Sequence, residues 1–490
     1  MKVNYTSTKA AFLKQSKALV VLAPEKFFKG KEGLLKFVPE EIHAILKNGS
    51  SDFKAGETGK VFSTLTSHSS LKKATYISLP QTVSRGNSPT RKIWAAKHLE
   101  TALGSEATSL LISVDDKSHV SAMVSAIARF DRKVTYKTKD GKIKKEGSQT
   151  PSVNVLFVDA KGDVITASES DKKLTDSVAW CISLVDKAPS ELNPGAFAKE
   201  VKARFSKVAS VKITEISGKD LLKNKLGGIW AVGKAATSAP RLLALHYKPK
   251  GAKKTLALAG KGVTYDTGGL SLKISGSMVG MKTDMGGAAA VVSAFDHLVK
   301  SKSKHEVIAV LGLVENAIGP EATKPDDIIH MHSGLTVEVN NTDAEGRLVL
   351  GDCVSWVARK YSPSILIDAA TLTGAQLVST GMNHAAVVCN DDSLEEKAVK
   401  VGKQTGDLVC PLVFAPDILR SEFSSKIADM KNSVKNRMNA QTSCAANFIY
   451  SHIEGIKGLK WLHIDLAGPA SNGDNLGTGY GVNLISELCK

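Results

Sequence analysis

Short, nearly uninterrupted apolar segments recur along this 490-residue chain and alternate with segments of helical periodicity. Segments of this kind are typical of strands buried on both faces of a parallel sheet that is covered by helices. In the first part of the chain the predicted strands are residues 18–22, 74–79, 109–114 and 153–158. In the second part they are residues 255–259, 307–314, 365–370, 385–389 and 461–466. The pattern predicts an α/β protein.

The chain is too long for one ordinary hydrophobic core, so more than one domain is expected. We predict a smaller N-terminal α/β domain over residues 1–165, a linker helix over 166–190 and a larger C-terminal α/β catalytic domain over 191–490. Asn193 followed by Pro194 is typical of a helix start and indicates the first helix of the larger domain. The larger domain is expected to have a central mixed, mostly parallel sheet.

The formal net charge of +17 is compatible with nucleic-acid binding or with a broadly cationic enzyme surface. The lysines are spread along the whole chain, and no run interleaves aromatic with basic side chains. This distribution favours the cationic surface, so nucleic acid is not an expected partner. The densest basic run, residues 132–145, contains the turn signal Asp140-Gly141 and predicts an exposed hairpin. An interaction tip at this hairpin is the alternative.

The six cysteines are scattered without paired spacing, which predicts free thiols rather than a disulfide framework or a cysteine zinc site. The first residues lack the charged-then-apolar pattern of a signal peptide. No stretch reaches the roughly 18 apolar residues of a membrane span. We therefore expect a cytoplasmic protein without a membrane partner.

Four acidic residues between positions 258 and 347 are placed where predicted strands end or helices begin. They are Asp266, Asp284, Asp343 and Glu345. Ligands bind at such places in open α/β sheets, and the neighbouring glycines permit close backbone approach. Four converging carboxylates need cations to stay ionised, and two divalent metals would supply them. Each acid alone is equally typical of a helix cap or a turn, so the residues alone leave a metal site, a phosphate site and plain caps open.

Residues 341–348 read Asn-Thr-Asp-Ala-Glu-Gly-Arg-Leu. This segment resembles the signature of the leucine aminopeptidase (cytosol aminopeptidase, M17) family. The similarity extends over the C-terminal domain, including residues 369–374 and 463–468, and is faint over the N-terminal domain. The resemblance implies a leucyl-type metalloaminopeptidase, an exopeptidase that releases N-terminal amino acids from peptides with a free N-terminus. It also implies a homohexamer of two stacked trimers.

The resemblance assigns roles to seven residues. The family's metal ligands fall on Lys261, Asp266, Asp284, Asp343 and Glu345. They would hold two divalent ions, zinc in both sites or manganese or magnesium in one, with a metal-bridged water as the nucleophile. Lys273 would polarise the scissile carbonyl, and Arg347 would anchor bicarbonate, the family's proton shuttle. Lys261 would have to coordinate as a neutral amine.

The resemblance also predicts the pocket for the first side chain of the substrate. Its expected lining is Met281, Asn341, Thr371, Leu372, Gly374 and Ala467. Where many relatives have a methionine three residues after this alanine, the chain has Ala470, so a preference for leucine is not implied. Residues 432–446 also depart from the glycine-rich sequence of the relatives.

Two alternatives to an aminopeptidase remain compatible with parts of the sequence. One is a non-catalytic nucleic-acid-binding or scaffolding member of the same fold, which has no need for Lys273 and Arg347 together. The other is a two-metal phosphatase, whose sites usually include histidine ligands, and the matched segments offer none.

Overall fold

The computed structural model describes residues 2–24, 35–51, 59–139, 142–143 and 151–490. The chain divides into two compact units, Met1–Ala179 with Gly402–Leu408, and Trp180–Val401 with Val409–Lys490. The division falls inside the segment for which we predicted a linker helix, and the helix there spans Glu169–Asp186. The domain limits at residues 165 and 190 stay a prediction.

The first unit is built on a mainly parallel sheet. Its strands are β1 (Lys2–Tyr5), β2 (Ala18–Pro24), β3 (Val61–Leu65), β4 (Lys73–Leu79), β5 (Thr108–Ser113), β6 (Thr138–Lys139), β7 (Lys142–Ile143), β8 (Ser152–Val158) and β9 (Val164–Ile165). The sheet order is β1-β8-β5-β2-β4-β3, with β9 beside β8. Only β3 and β9 pair antiparallel in this sheet, so the predicted parallel arrangement of the four apolar strands is confirmed.

The helices associated with this unit are α1 (Lys9–Leu13), α2 (Glu40–Gly49), α3 (Lys92–Ala102), α4 (Val120–Ala128) and α5 (Glu169–Asp186), and α5 continues into the second unit. Strands β6 and β7 pair antiparallel at the position of the predicted basic hairpin. The expected turn, Asp140-Gly141, lies outside the described residues.

Gly402–Leu408 belongs to the first unit although the chain on either side of it belongs to the second. The ammonium of Lys92 pairs with Asp407, and these side chains are only 3% and 1% exposed. The hydroxyl of Ser88 also donates a hydrogen bond to the carbonyl oxygen of Lys403. The linear division predicted from the sequence did not include this segment, because a buried ion pair between distant residues leaves no local pattern.

The second unit is built on an eight-stranded mixed sheet and a smaller three-stranded one. Its strands are β10 (Val211–Ser217), β11 (Arg241–Tyr247), β12 (Thr255–Asp266), β13 (Glu306–Asn316), β14 (Ile328–His330), β15 (Thr336–Glu338), β16 (Ile365–Ala370), β17 (Ala385–Cys389), β18 (Val409–Pro411), β19 (Met430–Lys431) and β20 (Lys460–Asp465). The large sheet has the order β10-β11-β13-β12-β16-β20-β17-β18, and the small one β14-β15-β19. Strands β13, β12, β16 and β20 are mutually parallel.

The sheet is mixed because β10, β11 and β17 pair antiparallel with their neighbours in it. The helices are α6 (Pro194–Phe205), α7 (Asp220–Lys223), α8 (Gly227–Gly233), α9 (Gly286–Lys300), α10 (Gly346–Tyr361), α11 (Gly374–Ser379), α12 (Asp392–Thr405), α13 (Pro416–Leu419), α14 (Gln441–Ser451) and α15 (Val482–Leu488). The predicted fold class, two α/β units with a mixed, mostly parallel catalytic sheet, is confirmed.

The central strand β12 is longer than predicted. The apolar run ends near Ala259, but the strand continues to Asp266 because Gly260 and Gly262 permit close packing against α9. A Cβ atom on Gly260 would lie 2.6 Å from the Cα of Ala288 in that helix. The residue between the two glycines, Lys261, faces the opposite side of the sheet because side chains alternate along a strand. Lys261 therefore lies within the strand and not after it.

The central strands β12, β13 and β16 are buried along nearly their whole length and therefore on both faces, as the sequence predicted for strands of this type. One continuous core includes Ile229 of α8, Val349 and Val354 of α10, Phe448 of α14 and Trp461 of β20. Among the described residues, no helix is long and apolar enough to cross a membrane. The six cysteines are all free, as expected, and five of them are buried.

Candidate active site

The predicted ligand residues converge at the carboxyl ends of the parallel strands. Lys261 lies within β12, and Asp266 is the last residue of that strand. Asp284 follows the short 3-10 helix Met281–Thr283, just before α9. Asp343 and Glu345 come directly before α10, and Glu345 is the capping position of that helix. Three sequence segments that are far apart in the chain thus meet at one edge of the sheet.

Lys261 is held by two acids from different segments. Its Nζ lies 2.7 Å from Oδ1 of Asp284 and 2.9 Å from Oε1 of Glu345, and its side chain is 3% exposed. Burial alone would lower the pKa of Lys261, but the neighbouring carboxylates raise it above its ordinary value. Lys261 is therefore an ammonium in the metal-free protein. A metal ion and a proton compete for the same nitrogen, so the predicted neutral ligand requires the loss of this proton.

Lys273 pairs with the other two acids. Its Nζ lies 2.9 Å from Oδ2 of Asp266 and also contacts Oδ1 of Asp343. Burial would lower the pKa of Lys273, but Asp266 and Asp343 raise it above its ordinary value. Lys273 therefore keeps its positive charge around neutral pH.

The carboxylates outnumber the lysines that neutralise them. Burial, followed by the neighbouring acids, raises the pKa of Asp284 well above its ordinary value despite the opposing effect of Lys261. The pKa values of Asp343 and Glu345 are also raised, chiefly by burial. Oδ2 of Asp284 is buried and has no hydrogen-bond partner among the described residues.

Ligand atoms of three acids lie close enough together to share a cation. The oxygens of Asp266, Asp343 and Glu345 are all within 4.8 Å of one another. Together with the excess of negative charge and the unpaired oxygen of Asp284, this arrangement fits divalent metal ions. The carboxylate and amine donors are of a kind that binds zinc, manganese or magnesium.

Arg347 lies in the first turn of α10 and is 5% exposed. Its Nε and Nη1 atoms are buried and have no hydrogen-bond partner in the described part of the chain. Burial lowers the pKa of Arg347 to about 10, which still leaves it cationic at neutral pH. A buried cation with unpaired donors is stabilised by an anion.

Two buried side chains that the sequence did not single out hold the segment 341–347 in place. The Nδ2 of Asn432 donates hydrogen bonds to the carbonyl oxygens of Asn341 (2.6 Å) and Ala344 (3.2 Å). The Nδ2 of Asn316 donates to Oδ1 of Asp266 (2.8 Å) and to the carbonyl oxygen of Thr342 (3.1 Å). The sequence gave one indication of Asn432, because Asn432 is the first residue of the segment 432–446 that departs from the sequence of the relatives.

Three of the predicted pocket residues lie on loops next to the predicted ligand residues. Thr371 donates a 2.9 Å hydrogen bond to Oδ1 of Asp284, and its carbonyl oxygen accepts a 3.0 Å bond from Lys261. The backbone N–H groups of Leu372 and Ala467 both donate to Oδ1 of Asp465, at 3.0 and 3.3 Å.

The remaining three pocket residues flank these loops. Met281 opens the short 3-10 helix before Asp284. The side chain of Asn341 accepts a 2.9 Å hydrogen bond from the backbone N–H of Asp343. Gly374 begins α11 and lines a cleft of about 890 Å³ that also includes Val378, Met438 and Thr442 among its lining residues.

The chain is similar to known aminopeptidases over most of its length. Residues 179–486 match the catalytic domain of the cytosol aminopeptidase family. A human protein named probable aminopeptidase NPEPL1 is 41% identical over 85% of this chain and 80% of its own length. Leucine aminopeptidase 1 of Caenorhabditis elegans is 40% identical over 84% of this chain and 82% of its own.

Solved structures agree over nearly the whole chain. Leucyl aminopeptidase from Trypanosoma brucei, in complex with bestatin, superposes with a TM-score of 0.89 at 33% identity, covering 99% of this chain and 95% of that one. Leucine aminopeptidase of Caenorhabditis elegans superposes with a TM-score of 0.88 at 35% identity, covering 100% and 98%.

The protein belongs to the cytosol aminopeptidase (M17) family. It is accordingly a metal-dependent exopeptidase, a hydrolase that acts on peptides. None of the relatives named above is described as a nucleic-acid-binding or scaffolding protein.

Proposed function

We propose that this protein removes N-terminal amino acids from peptides with a free N-terminus by two-metal catalysis. The proposal depends on one observation, the convergence of four carboxylates, three of them buried, on two lysines at the strand ends. Such an excess of buried negative charge is stabilised by divalent cations, and a two-metal site is suited to hydrolysis.

The metal ligands in this proposal are five residues from three segments: Lys261, Asp266, Asp284, Asp343 and Glu345. We propose zinc in both sites, or manganese or magnesium in one of them. When bound, these ions polarise a carbonyl group and lower the pKa of water towards neutrality. The four carboxylates would orient the pair of ions, and Lys261 would contribute its amine after losing its proton.

Lys273 is proposed to polarise the scissile carbonyl. Its ammonium is held on Asp266 and Asp343, so it lies beside the ligands rather than among them. Because its pKa is raised, the group stays charged and can donate a hydrogen bond to the oxygen that becomes negative in the transition state. A donor of this kind is placed where it stabilises the transition state more than the substrate.

Arg347 is proposed to anchor bicarbonate. The support is that two of its buried nitrogens have no hydrogen-bond partner among the described residues, and that a planar guanidinium matches a planar anion. Bicarbonate, when bound, supplies an oxygen that accepts a proton during hydrolysis. Arg347 would fix the position of that oxygen.

The first side chain of the substrate is proposed to bind among the six predicted pocket residues. These are Met281, Asn341, Thr371, Leu372, Gly374 and Ala467. Ala470 is 5% exposed and lies against Gly286. Its small side chain fills little space near the proposed pocket. The cleft beside Gly374 provides room for the rest of the peptide.

We propose a homohexamer in the cytoplasm. The hexamer is supported by large apolar side chains on the surface of the second unit, among them Ile418 and Ile427, which are 68% and 71% exposed. Apolar exposure of this kind is typical of protein interfaces. The cytoplasm is supported by the six free cysteines, because a reducing compartment keeps thiols unpaired. Light scattering of the purified protein tests the assembly.

The decisive experiment is the hydrolysis of a panel of aminoacyl amides by the protein before and after complete metal removal. We expect activity to disappear with the metals and to return when zinc or manganese is added back. N-terminally acetylated substrates are the control, and they should not be cleaved. Activity that survives metal removal contradicts the proposal, and so does unchanged turnover of Asp343→Ala.

A further inference from the structure

An aspartate and a histidine with no exposed surface lie side by side within the large sheet of the second unit. Asp368 on β16 and His463 on β20 are partners in the parallel register. Oδ1 of Asp368 lies 2.5 Å from Nδ1 of His463, and Oδ2 accepts a 2.7 Å hydrogen bond from Nε1 of Trp461. Because a carboxylate only accepts, Nδ1 of His463 carries a proton.

This pair lies two residues before the level of Lys261 along the parallel strands. Asp368 is the register partner of Ala259, which precedes Lys261 by two residues, so the three side chains share one face of the sheet. Helix α10 packs on that face, because a Cβ atom on Gly346 would lie 2.6 Å from the Cε of Lys261. Arg347 is the next residue of the helix. The Asp368–His463 pair therefore lies on the face of the sheet where α10 packs against β12 and β16.

Buried nitrogen atoms of this region lack hydrogen-bond partners. Nε2 of His463, like Nε and Nη1 of Arg347, has no hydrogen-bond partner among the described residues. Besides Asp368, the acids in their surroundings are Glu345, which pairs with Lys261, and Asp465, whose oxygens accept the backbone N–H of Leu372 and the hydroxyl of Thr373. Buried donors without acceptors are costly, so the unpaired N–H groups of Arg347 favour an added anion.

The electrostatic surroundings of His463 include Arg347. Burial would lower the pKa of His463, but Asp368 raises it above its ordinary value and Asp465 acts in the same direction. Arg347 opposes them and lowers it. Two thiols also lie here, Cys353 near Asp368 and Cys444 near Arg347, and burial raises the pKa of both, so they stay neutral.

We propose that Asp368 and His463 are a positioning pair for an anion held by Arg347, in which the imidazolium supplies a second positive charge behind the guanidinium. The inference rests on the proposed anion site at Arg347 and adds two residues to it. The anion class is a small planar carbonate or carboxylate. Asp368 keeps His463 protonated, and neither residue touches the reacting atoms.

The test is equilibrium binding of sodium bicarbonate to the metal-loaded protein, measured by calorimetry without substrate, with sodium chloride at matched ionic strength as reference. We expect Asp368→Asn and His463→Gln to weaken binding about tenfold or more, as expected for a lost charged interaction. Wild-type affinity should fall as pH rises and His463 loses its proton, and Asp368→Asn should flatten this dependence. All titrations stay in the pH range where bicarbonate keeps one charge.

The matched control is His452→Gln. His452 is also fully buried and also has an unpaired Nε2 among the described residues, but its Nδ1 is bonded to Ser333. Burial lowers its pKa to about 3, so it is neutral and should not affect anion binding. If His463→Gln fails to fold, Asp368→Asn decides the question. Asparagine keeps an acceptor for Trp461 and turns its NH2 group towards Nδ1 of His463, which favours a neutral imidazole without a proton on Nδ1.

Arg347→Met separates this inference from the proposed function. Loss of bicarbonate binding in Arg347→Met together with weaker binding in Asp368→Asn supports both. Loss in Arg347→Met with wild-type affinity in Asp368→Asn and His463→Gln overturns the positioning pair and leaves the anion site standing. Unchanged binding in Arg347→Met overturns the anion site and the inference that rests on it.

Discussion

Asn432 donates a 2.6 Å hydrogen bond to the carbonyl oxygen of Asn341, and its own side-chain oxygen accepts the backbone N–H of Asn340 at 2.9 Å. One buried amide therefore clamps the chain just before the two acids Asp343 and Glu345. Residues that orient metal ligands in this way usually change metal affinity when they are removed.

We predict that Asn432→Ala lowers metal affinity and kcat by roughly 10-fold to 100-fold. The backbone of residues 340–344 would lose the partners that fix its position, while the metal-ligand side chains stay intact. Metal titration and steady-state kinetics measure the two effects. Asn436→Ala, an exposed change in the same segment, is the control. If Asn432→Ala bound metal with wild-type affinity, the hydrogen bonds of Asn432 would not be needed to position the metal site.

Metal affinity should rise with pH. The carboxylates around Lys261 raise its pKa in the metal-free protein, so a proton must leave this amine before it can coordinate. The raised pKa values of Asp284 and Glu345 act in the same direction. Each proton released makes binding on the order of tenfold tighter per pH unit.

Titration of the metal-free protein at several pH values measures this dependence. Lys261→Met has no amine proton to release, so its binding should be weaker overall and should depend less steeply on pH. Equal slopes in wild type and Lys261→Met would show that the amine does not take part.

Lys273→Met should reduce kcat by on the order of 10²-fold to 10³-fold with a smaller change in KM, as expected for a donor that acts mainly on the transition state. The measurement is made at saturating metal, because the substitution also removes the partner of Asp266 and Asp343. The exposed Lys253→Met is the control for the loss of one positive charge. A change confined to KM would assign Lys273 to substrate binding instead.

Gly287→Ala should destabilise the protein by roughly 1–3 kcal/mol or more. A Cβ atom at this position would lie 2.1 Å from the carbonyl oxygen of Ala369, so α9 would have to move away from β16. Thermal unfolding of the metal-free protein measures the loss. Gly473→Ala is the matched control, because a Cβ atom there would meet no atom within 4 Å. Equal unfolding temperatures for the two variants would rule out the tight contact.

The central strands could be predicted from the sequence because both of their faces are buried, which makes them apolar along their whole length. Strands β3 and β10 were not predicted, since they lie at sheet edges and β10 includes Lys212 and Glu215. The antiparallel pairing of β11 was not predictable either, because direction depends on the path of the chain and not on composition.

The proposed ligand residues could be singled out because they fall in short segments that resemble the motifs of the family. Their pairing could not, since the contacts of Lys261 with Asp284 and Glu345 join three separate segments. Asp368 and His463 were missed for a related reason. Asp368 is the single polar residue of β16, and His463 stands between two apolar residues of β20. Only the register of the two strands brings them together.

The ion pair between Lys92 and Asp407 joins two distant stretches of the chain within the first unit. A fragment that ended at Ala179 would bury the ammonium of Lys92 without its counter-ion, and breaking a buried pair in this way typically costs about 3–5 kcal/mol. The first unit therefore cannot be cut out as one uninterrupted stretch of the gene and keep its stability. A deletion, a splice variant or a fusion that separates the two stretches should yield an unstable fragment, so the units are expected to be gained and lost together.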